Sequence, residues 1–175
     1  MNLIIFGPPG AGKGTQANFI VNKFNLYQLS TGQILRNEIK NKTELGKEIS
    51  SIINSGSLVS DEVVKKLVEN FISDQKYNNR LIFDGYPRNL TQAKTLNELL
   101  TKYDQKINLV LKLSVSLKTI KKRILERRNI EKRSDDNEEN AIKRYETYEK
   151  STEPVIEYYK KMNLLKVIDG ERSID

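Results

Sequence analysis

The chain has 175 residues, room for one domain of ordinary size, with 30 Lys and Arg against 23 Asp and Glu for a net charge of +7. It contains neither Cys nor His, which excludes disulfides, thiolate or imidazole metal sites and every Cys- or His-based catalytic triad. Any chemistry must run on carboxylates, lysine, arginine, hydroxyls, backbone amides and a bound ion. Residues 2–6 read as a short buried strand, too short for a membrane span or a signal-peptide core. Gly7-Pro8-Pro9-Gly10-Ala11-Gly12-Lys13-Gly14-Thr15 follows, then a helical pattern through Ala17, Ile20, Val21 and Phe24. Leu26 to Leu29 is a second strand, and short helices broken at Thr43, Gly46 and Gly56 fill the span to Ser60. Ser60 or Asp61 caps a helix whose apolar face is Val63, Val64, Leu67, Val68, Phe71 and Ile72. Further on come a strand at 80–85, a helix at 90–100, a strand at 107–115 and a helix from the Ser116 cap to Arg128. Residues 129–136 are polar and aperiodic and predict a loop. A helical region at 138–161 is interrupted at Pro154, and a last strand at 164–169 closes at Gly170. Short apolar strands alternating with helices predict a parallel sheet covered on both faces, in one domain with a helical excursion at 30–59.

Gly7 to Lys13 fits G-x-x-x-x-G-K between a strand and a helix, the context that phosphate-binding motif requires. Glycines let the loop turn its N–H groups inward, the helix N-terminus adds positive potential, and the lysine reaches the phosphates. Here the hydroxyl residue does not follow the lysine directly, because Gly14 stands between Lys13 and Thr15. The basic residues are 21 Lys and only nine Arg. A chain that defaults to lysine places arginine where a planar, bidentate contact matters.

The loop Gly-x-Pro-Gly-x-Gly-Lys-Gly-Thr resembles that of the nucleoside monophosphate kinases, and of the adenylate kinases in particular. The resemblance continues along almost the whole chain. Ser30-Thr31-Gly32 with Leu35-Arg36, Gly56-Ser57-Leu58-Val59-Ser60-Asp61, and Asp84-Gly85-Tyr86-Pro87-Arg88 with Gln92 match the family's motifs in order and spacing. So do Arg123, Arg127, Arg133, Arg144 and the closing Val167-Ile168-Asp169-Gly170. Seven of the nine arginines fall on motif positions, leaving out only Arg80 and Arg128.

The resemblance implies a P-loop NTPase-like three-layer α/β fold with five parallel strands in the order 2-3-1-4-5. It implies the reaction Mg·ATP + AMP ⇌ 2 ADP, in which the nucleophile is an AMP phosphate oxygen. No general base is needed, which suits a chain without histidine, and catalysis reduces to positioning and electrostatics. By resemblance, Gly10, Ala11, Gly12, Lys13, Gly14 and Thr15 hold the ATP phosphates. Arg123 stacks on the ATP base, and Arg172 lies near that base. Thr31 and Gln92 contact the AMP base, while Ser57, Leu58, Val59, Gly85, Tyr86 and Pro87 line its pocket. Arg36 and Arg88 clamp the AMP phosphate, and Arg127, on the ATP side, and Arg133 and Arg144, on the AMP side, gather around the phosphates. Asp84 orients Mg²⁺ through water, with Thr15 the other candidate, since Mg²⁺ keeps most of its shell as water and phosphate oxygen. Asp84 has a plainer reading as the cap of its turn, and Asp135 and Asp136 a plainer one as caps of the helix that follows. Tyr86 reads more simply as packing, and Lys118, Lys121, Lys122 and Lys132 as a solvated face.

Two departures bear on the expectations. Five residues separate Arg127 from Arg133, so the lid at about 128–136 is short, with no room for a β-rich lid or its four-cysteine zinc site. Family members also carry a helix after the last strand, and this chain ends at Asp175, where that helix would begin. ATP and AMP are the expected partners, with no nucleic acid and no membrane, for a cytoplasmic monomer. A pyrimidine nucleoside monophosphate kinase shares the expected fold but typically has Ala and Asn where this chain has Thr31 and Gln92. A non-catalytic nucleotide-regulated RNA or assembly module would leave Arg36, Arg88 and Gln92 unexplained.

Overall fold

The apolar runs become five parallel strands: β1 (Asn2–Phe6), β2 (Tyr27–Ser30), β3 (Leu81–Asp84), β4 (Ile107–Ser114) and β5 (Leu165–Asp169). They form one sheet in the order β2-β3-β1-β4-β5, as the resemblance implies. The computed structural model describes residues 1–55, 57–131 and 138–172, with the backbone alone for 128–131 and Glu138. Central β1 is buried along its whole length, which is why its sequence shows no polar alternation. Leu3 and Ile5 face one layer, with Ala17 and Leu26; Ile4 and Phe6 face the other, with Val68, Leu96, Val155 and Tyr159. Edge strand β5 is the opposite case, with Val167 and Ile168 exposed.

The helices are α1 (Lys13–Phe24), α2 (Thr31–Lys40), α3 (Glu44–Asn54), α4 (Asp61–Ser73), α5 (Leu90–Lys102), α6 (Leu117–Glu131), α7 (Glu138–Thr147) and α8 (Glu153–Lys161). Helices α2 and α3 occupy the excursion expected at 30–59. Thr43 caps α3 by accepting from the Gly46 N–H at 3.0 Å, and Asn89 caps α5 by accepting from the Gln92 N–H at 2.8 Å. Ser116 caps α6 as expected, its Oγ accepting from the Thr119 N–H at 3.3 Å.

Two sequence expectations change. The loop expected from Asn129 begins later, because α6 continues to Glu131; residues 129–131 contain no Gly or Pro to stop a helix. Residues 132–136 of the expected lid, Arg133, Asp135 and Asp136 among them, like Gly56, lie outside the described residues. The break expected at Pro154 falls before it. Tyr148–Thr152 forms a π-helical turn between α7 and α8, and Pro154 sits in the first turn of α8, where a missing N–H costs nothing.

Candidate active site

The carboxyl ends of β1 and β3 and the start of α1 converge on one cleft. Gly10 and Gly12 take φ of 81° and 90°, and Gly12 is the left-handed residue from which α1 starts. With no side-chain cap there, the first N–H groups of α1 face the cleft unpaired by a capping oxygen, the arrangement that receives an anion. Lys13 bends back over this loop, its Nζ donating to the carbonyls of Gly7 at 2.8 Å and Pro8 at 3.0 Å. Burial pushes the ammonium down to about 8; Asp84 counters that, while Arg88, Arg144 and Arg127 reinforce it. The lysine's charge is thus held by loop carbonyls amid three guanidiniums.

Two cavities meet at this cleft. The first, about 570 Å³ with its open mouth, is lined by Thr31, Arg36, Gly85, Arg88, Gln92 and Arg144, with Ser57, Leu58 and Val59 along one side. The second, about 550 Å³, is lined by Phe6, Gly7, Lys13, Pro87, Tyr148 and Thr152. They share Leu58, Gly85, Arg88 and Arg144, so a guanidinium pair stands on the border between them.

Arg88 is held through both its side chain and its backbone. Its Nε donates to the Gly85 carbonyl at 2.8 Å, its N–H to Gln92 Oε1 at 2.7 Å, and its carbonyl accepts from Thr152 Oγ1 at 3.0 Å. A Cβ built on Gly32 would lie 3.2 Å from Arg36 Nη1 and 3.7 Å from Arg88 Nη2, so both arginines close over that glycine. Gly85, at φ 77°, is equally confined: a Cβ there would lie 3.3 Å from Arg88 Nη2 and 3.4 Å from Thr31 Oγ1. Thr31 is buried and donates its hydroxyl to the Gly85 carbonyl at 3.0 Å.

Asp84, at the end of β3, is buried and accepts from Gln28 Nε2 at 2.9 Å. It is a hard oxygen donor beside Lys13, while Thr15 is exposed on α1. Among the described residues no three carboxylates gather into a metal cluster. One buried carboxylate fits an ion whose remaining ligands are phosphate and water.

On the other side of the loop, Arg123 spans two backbone segments, donating to Ala11 at 3.4 Å and to Gly170 at 2.9 Å. Glu171 ties the turn after β5 to the start of α6, accepting from the Thr119 hydroxyl at 2.6 Å and the Ser116 N–H at 2.5 Å. Those bonds hold its carboxyl down to about 2. Arg172 points away, pairing with Asp169 at 3.2 Å in solvent. Tyr86 does not reach either cavity; it is buried in the core with its hydroxyl donating to the Gln92 carbonyl at 3.3 Å, and burial raises its pKa. Arg80, outside the motif set, lies at the other end of the sheet, donating to the Asn25 carbonyl and stacking 4.8 Å from the Tyr27 ring centre.

Sequence reasoning missed Asp61 and Thr152 as neighbours of the site. Asp61 follows the Ser60 cap and caps nothing itself; its Oδ1 accepts from Gln92 Nε2 at 2.7 Å and from Asn89 Nδ2 at 3.0 Å. Its motif position was a signal for it; Thr152 had none.

A parallel sheet with a glycine phosphate loop between its first strand and helix, opening on two cavities that share arginines, defines a P-loop nucleotide kinase. Residues 5–164 match the family model for adenylate kinase. The chain is 45% identical to the adenylate kinase of Pelagibacter ubique over all of this chain and 94% of that protein. It is 42% identical to that of Fusobacterium nucleatum (all of this chain, 93% of the relative) and 39% to that of Thermobifida fusca (all of this chain, 93% of the relative). The chain belongs to the adenylate kinase family. It is an enzyme that transfers phosphoryl groups between adenine nucleotides, and the pyrimidine and non-catalytic alternatives are not favoured. No helix among the described residues is long and apolar enough to cross a membrane.

Proposed function

We propose that the first cavity takes AMP and the second the phosphates of ATP, so that Mg·ATP + AMP ⇌ 2 ADP runs across the shared arginine border. The supporting observation is that Arg88 and Arg144 line both cavities, with Lys13 in one and Gln92 in the other. In this reading an oxygen of the AMP phosphate forms the new bond to the γ-phosphorus, and the bond from that phosphorus to the β,γ-bridging oxygen breaks. The nucleophile is already an anion, so no side chain has to remove a proton.

Arg36 and Arg88 hold the AMP phosphate through their forks, Thr31 and Gln92 read the base, and Ser57, Leu58 and Val59 wall the pocket. The N–H groups of Gly10 to Thr15 receive the ATP phosphates. Lys13 leaves the Gly7 and Pro8 carbonyls to follow the transferring group, and Arg127, Arg133 and Arg144 neutralise its charge. Arg123 covers the ATP base, with the backbone at Arg172 beside it while the Arg172 side chain pairs with Asp169 in solvent. Asp84 would hold Mg²⁺ through water, and Thr15 is the other candidate; bound with ATP, the ion supplies charge neutralisation on the phosphates. The enzyme works as a monomer in the cytoplasm, with no zinc and no nucleic-acid partner.

A coupled assay with ATP and each of AMP, UMP, CMP and GMP tests the acceptor. AMP should be strongly preferred; a preference for UMP or CMP would overturn the pocket assignment. Two adenosines joined through five phosphates should bind far more tightly than ATP or AMP alone and protect 30–59 from hydrogen exchange. Equal affinity for that compound and for ATP would mean that there is no second nucleotide site.

A further inference from the structure

We propose that Asp61 determines base specificity as a positioning residue. Together with the Arg88 N–H, it locks the Gln92 amide in one orientation, so that the acceptor pocket takes an adenine edge and rejects a 6-oxopurine edge. This rests on reading the first cavity as the AMP pocket.

A glutamine side chain can present its oxygen and nitrogen in either order, and only its partners decide which. Gln92 lines the cavity and is 3% exposed. Its Oε1 accepts from the Arg88 N–H at 2.7 Å, and its Nε2 donates to Asp61 Oδ1 at 2.7 Å. A backbone N–H can only donate, and a carboxylate can only accept. Turning the amide over would set NH₂ against N–H and carbonyl against carboxylate. Two good bonds would become two repulsions in a place that water barely reaches. The carboxylate cannot swing aside to relieve this. Asn89 Nδ2 holds its two oxygens at 3.0 and 3.3 Å, and Asn89 is itself fixed because its Oδ1 accepts from the Gln92 N–H at 2.8 Å.

The locked amide keeps one lone pair on Oε1 and one hydrogen on Nε2 for a ligand, side by side. Adenine offers the complement, an N6–H donor beside the N1 acceptor. Hypoxanthine and guanine offer the reverse, an O6 acceptor beside an N1–H donor. Thr31 is committed in the same way: its hydroxyl hydrogen goes to the Gly85 carbonyl, which also takes Arg88 Nε, so Thr31 turns only lone pairs toward the cavity. A 6-oxopurine would meet acceptors where it needs donors.

The wild-type enzyme provides the first test, with AMP, IMP and purine riboside 5′-monophosphate as acceptors. The last keeps the N1 acceptor but lacks the N6 donor. A locked amide gives kcat/KM in the order AMP, purine riboside monophosphate, IMP, with IMP roughly 100-fold below AMP. An amide free to turn would match IMP, and IMP above the purine nucleotide would overturn the proposal.

The second test is Asp61→Asn, whose amide can donate as well as accept and so removes the carboxylate's half of the lock, leaving only the Arg88 N–H to oppose the turned amide. The AMP-to-IMP ratio should fall about 10-fold or more through the acceptor KM, with the ATP KM unchanged. In a Gln92→Ala background, Asp61→Asn should leave the ratio where Gln92→Ala alone puts it. Equal loss of AMP and IMP use in Asp61→Asn would make Asp61 merely structural. If that variant does not fold, the wild-type series still decides. Failure of the pocket reading looks different: Gln92→Ala would leave AMP use untouched, and the proposal would fall with it.

Discussion

The chain enters β2, β3, β4 and β5 through a left-handed residue each time, and each of these carries a side chain: Asn25, Asn79, Asp104 and Asn163. Where the chain leaves β1 and β3, the left-handed residues are Gly10, Gly12 and Gly85. Asn and Asp tolerate this conformation well enough to turn a chain. They were not used at the carboxyl ends, because there the backbone must also let something close. At Gly85 that something is the Arg88 fork and the Thr31 hydroxyl; at Gly12 it is the proposed phosphate site. One end of the sheet needs only to reverse direction, whereas the other must reverse and leave room for a substrate.

The sharpest way to break this contrast is at the guanidinium that Gly85 admits. Arg88→Lys keeps the charge and loses the fork. We expect kcat/KM for AMP to fall roughly 100-fold or more, with thermal stability nearly unchanged. Near-normal kinetics would return Arg88 to a structural role. Gly85→Ala should come next. It adds both an unfavourable φ and a contact 3.3 Å from Arg88 Nη2, so AMP use should drop about 10-fold to 100-fold and stability by about 1–2 kcal/mol. Gly12→Ala separates the two terms. A Cβ there meets only Arg123 Nη1 at 4.0 Å, so the stability cost should be the backbone part alone, with ATP binding affected and AMP binding spared. If Gly12→Ala and Gly85→Ala damage AMP use equally, confinement at Gly85 is not the reason for its glycine.

Lys13 offers a smaller, pH-read effect at the same end. Its folded pKa of about 8 lies below the ordinary 10.5. Between those values the unfolded chain binds more protons than the folded one, so this group's contribution to stability rises with pH across the window. Phosphate binding favours the charged lysine. ATP affinity should therefore fall as pH rises through about 8, by up to about 10-fold per unit, and binding near pH 9 should take up a proton. Calorimetry in buffers of different ionisation enthalpy measures that uptake; none at pH 9 would show that Lys13 stays charged in the free enzyme. The smallest effect belongs to the other end. Asn163→Gly keeps the left-handed turn and touches no cavity, so stability should change by no more than about 0.5 kcal/mol and activity not at all.

The strands were legible because each has its own apolar run and each turn its own Gly, Asn or Asp, whereas their order in the sheet came from the family resemblance. Arg88, Gln92 and Lys13 were legible through motif spacing. The local sequence offers Ser60 or Asp61 as a cap and says nothing of the partners of Asp61, which are Asn89 and Gln92, 28 and 31 positions away. Thr152 meets the Arg88 carbonyl across 64 positions, and nothing in its own neighbourhood announces that. The overrun of α6 to Glu131 has the same origin. Low periodicity was read as a loop, although helix-forming residues continue a helix without an apolar face.

The π-helical turn at Tyr148–Thr152 gives this stretch one residue of slack. A wide turn of this kind holds one residue more than an α-helical turn. Losing one residue there would close it to an α-helical turn, so that α7 runs into α8 as a regular helix with α8 keeping its orientation. Val155, Ile156 and Tyr159 would stay in the core they fill, and the change would fall on the turn itself, where Thr152 meets the Arg88 carbonyl. Point substitutions at the exposed Glu149 and Lys150 should pass unnoticed, and in a library selected for growth on this enzyme a single-codon deletion beside them should survive far more often than a single-codon insertion within α8, which turns the residues after it by about 100°.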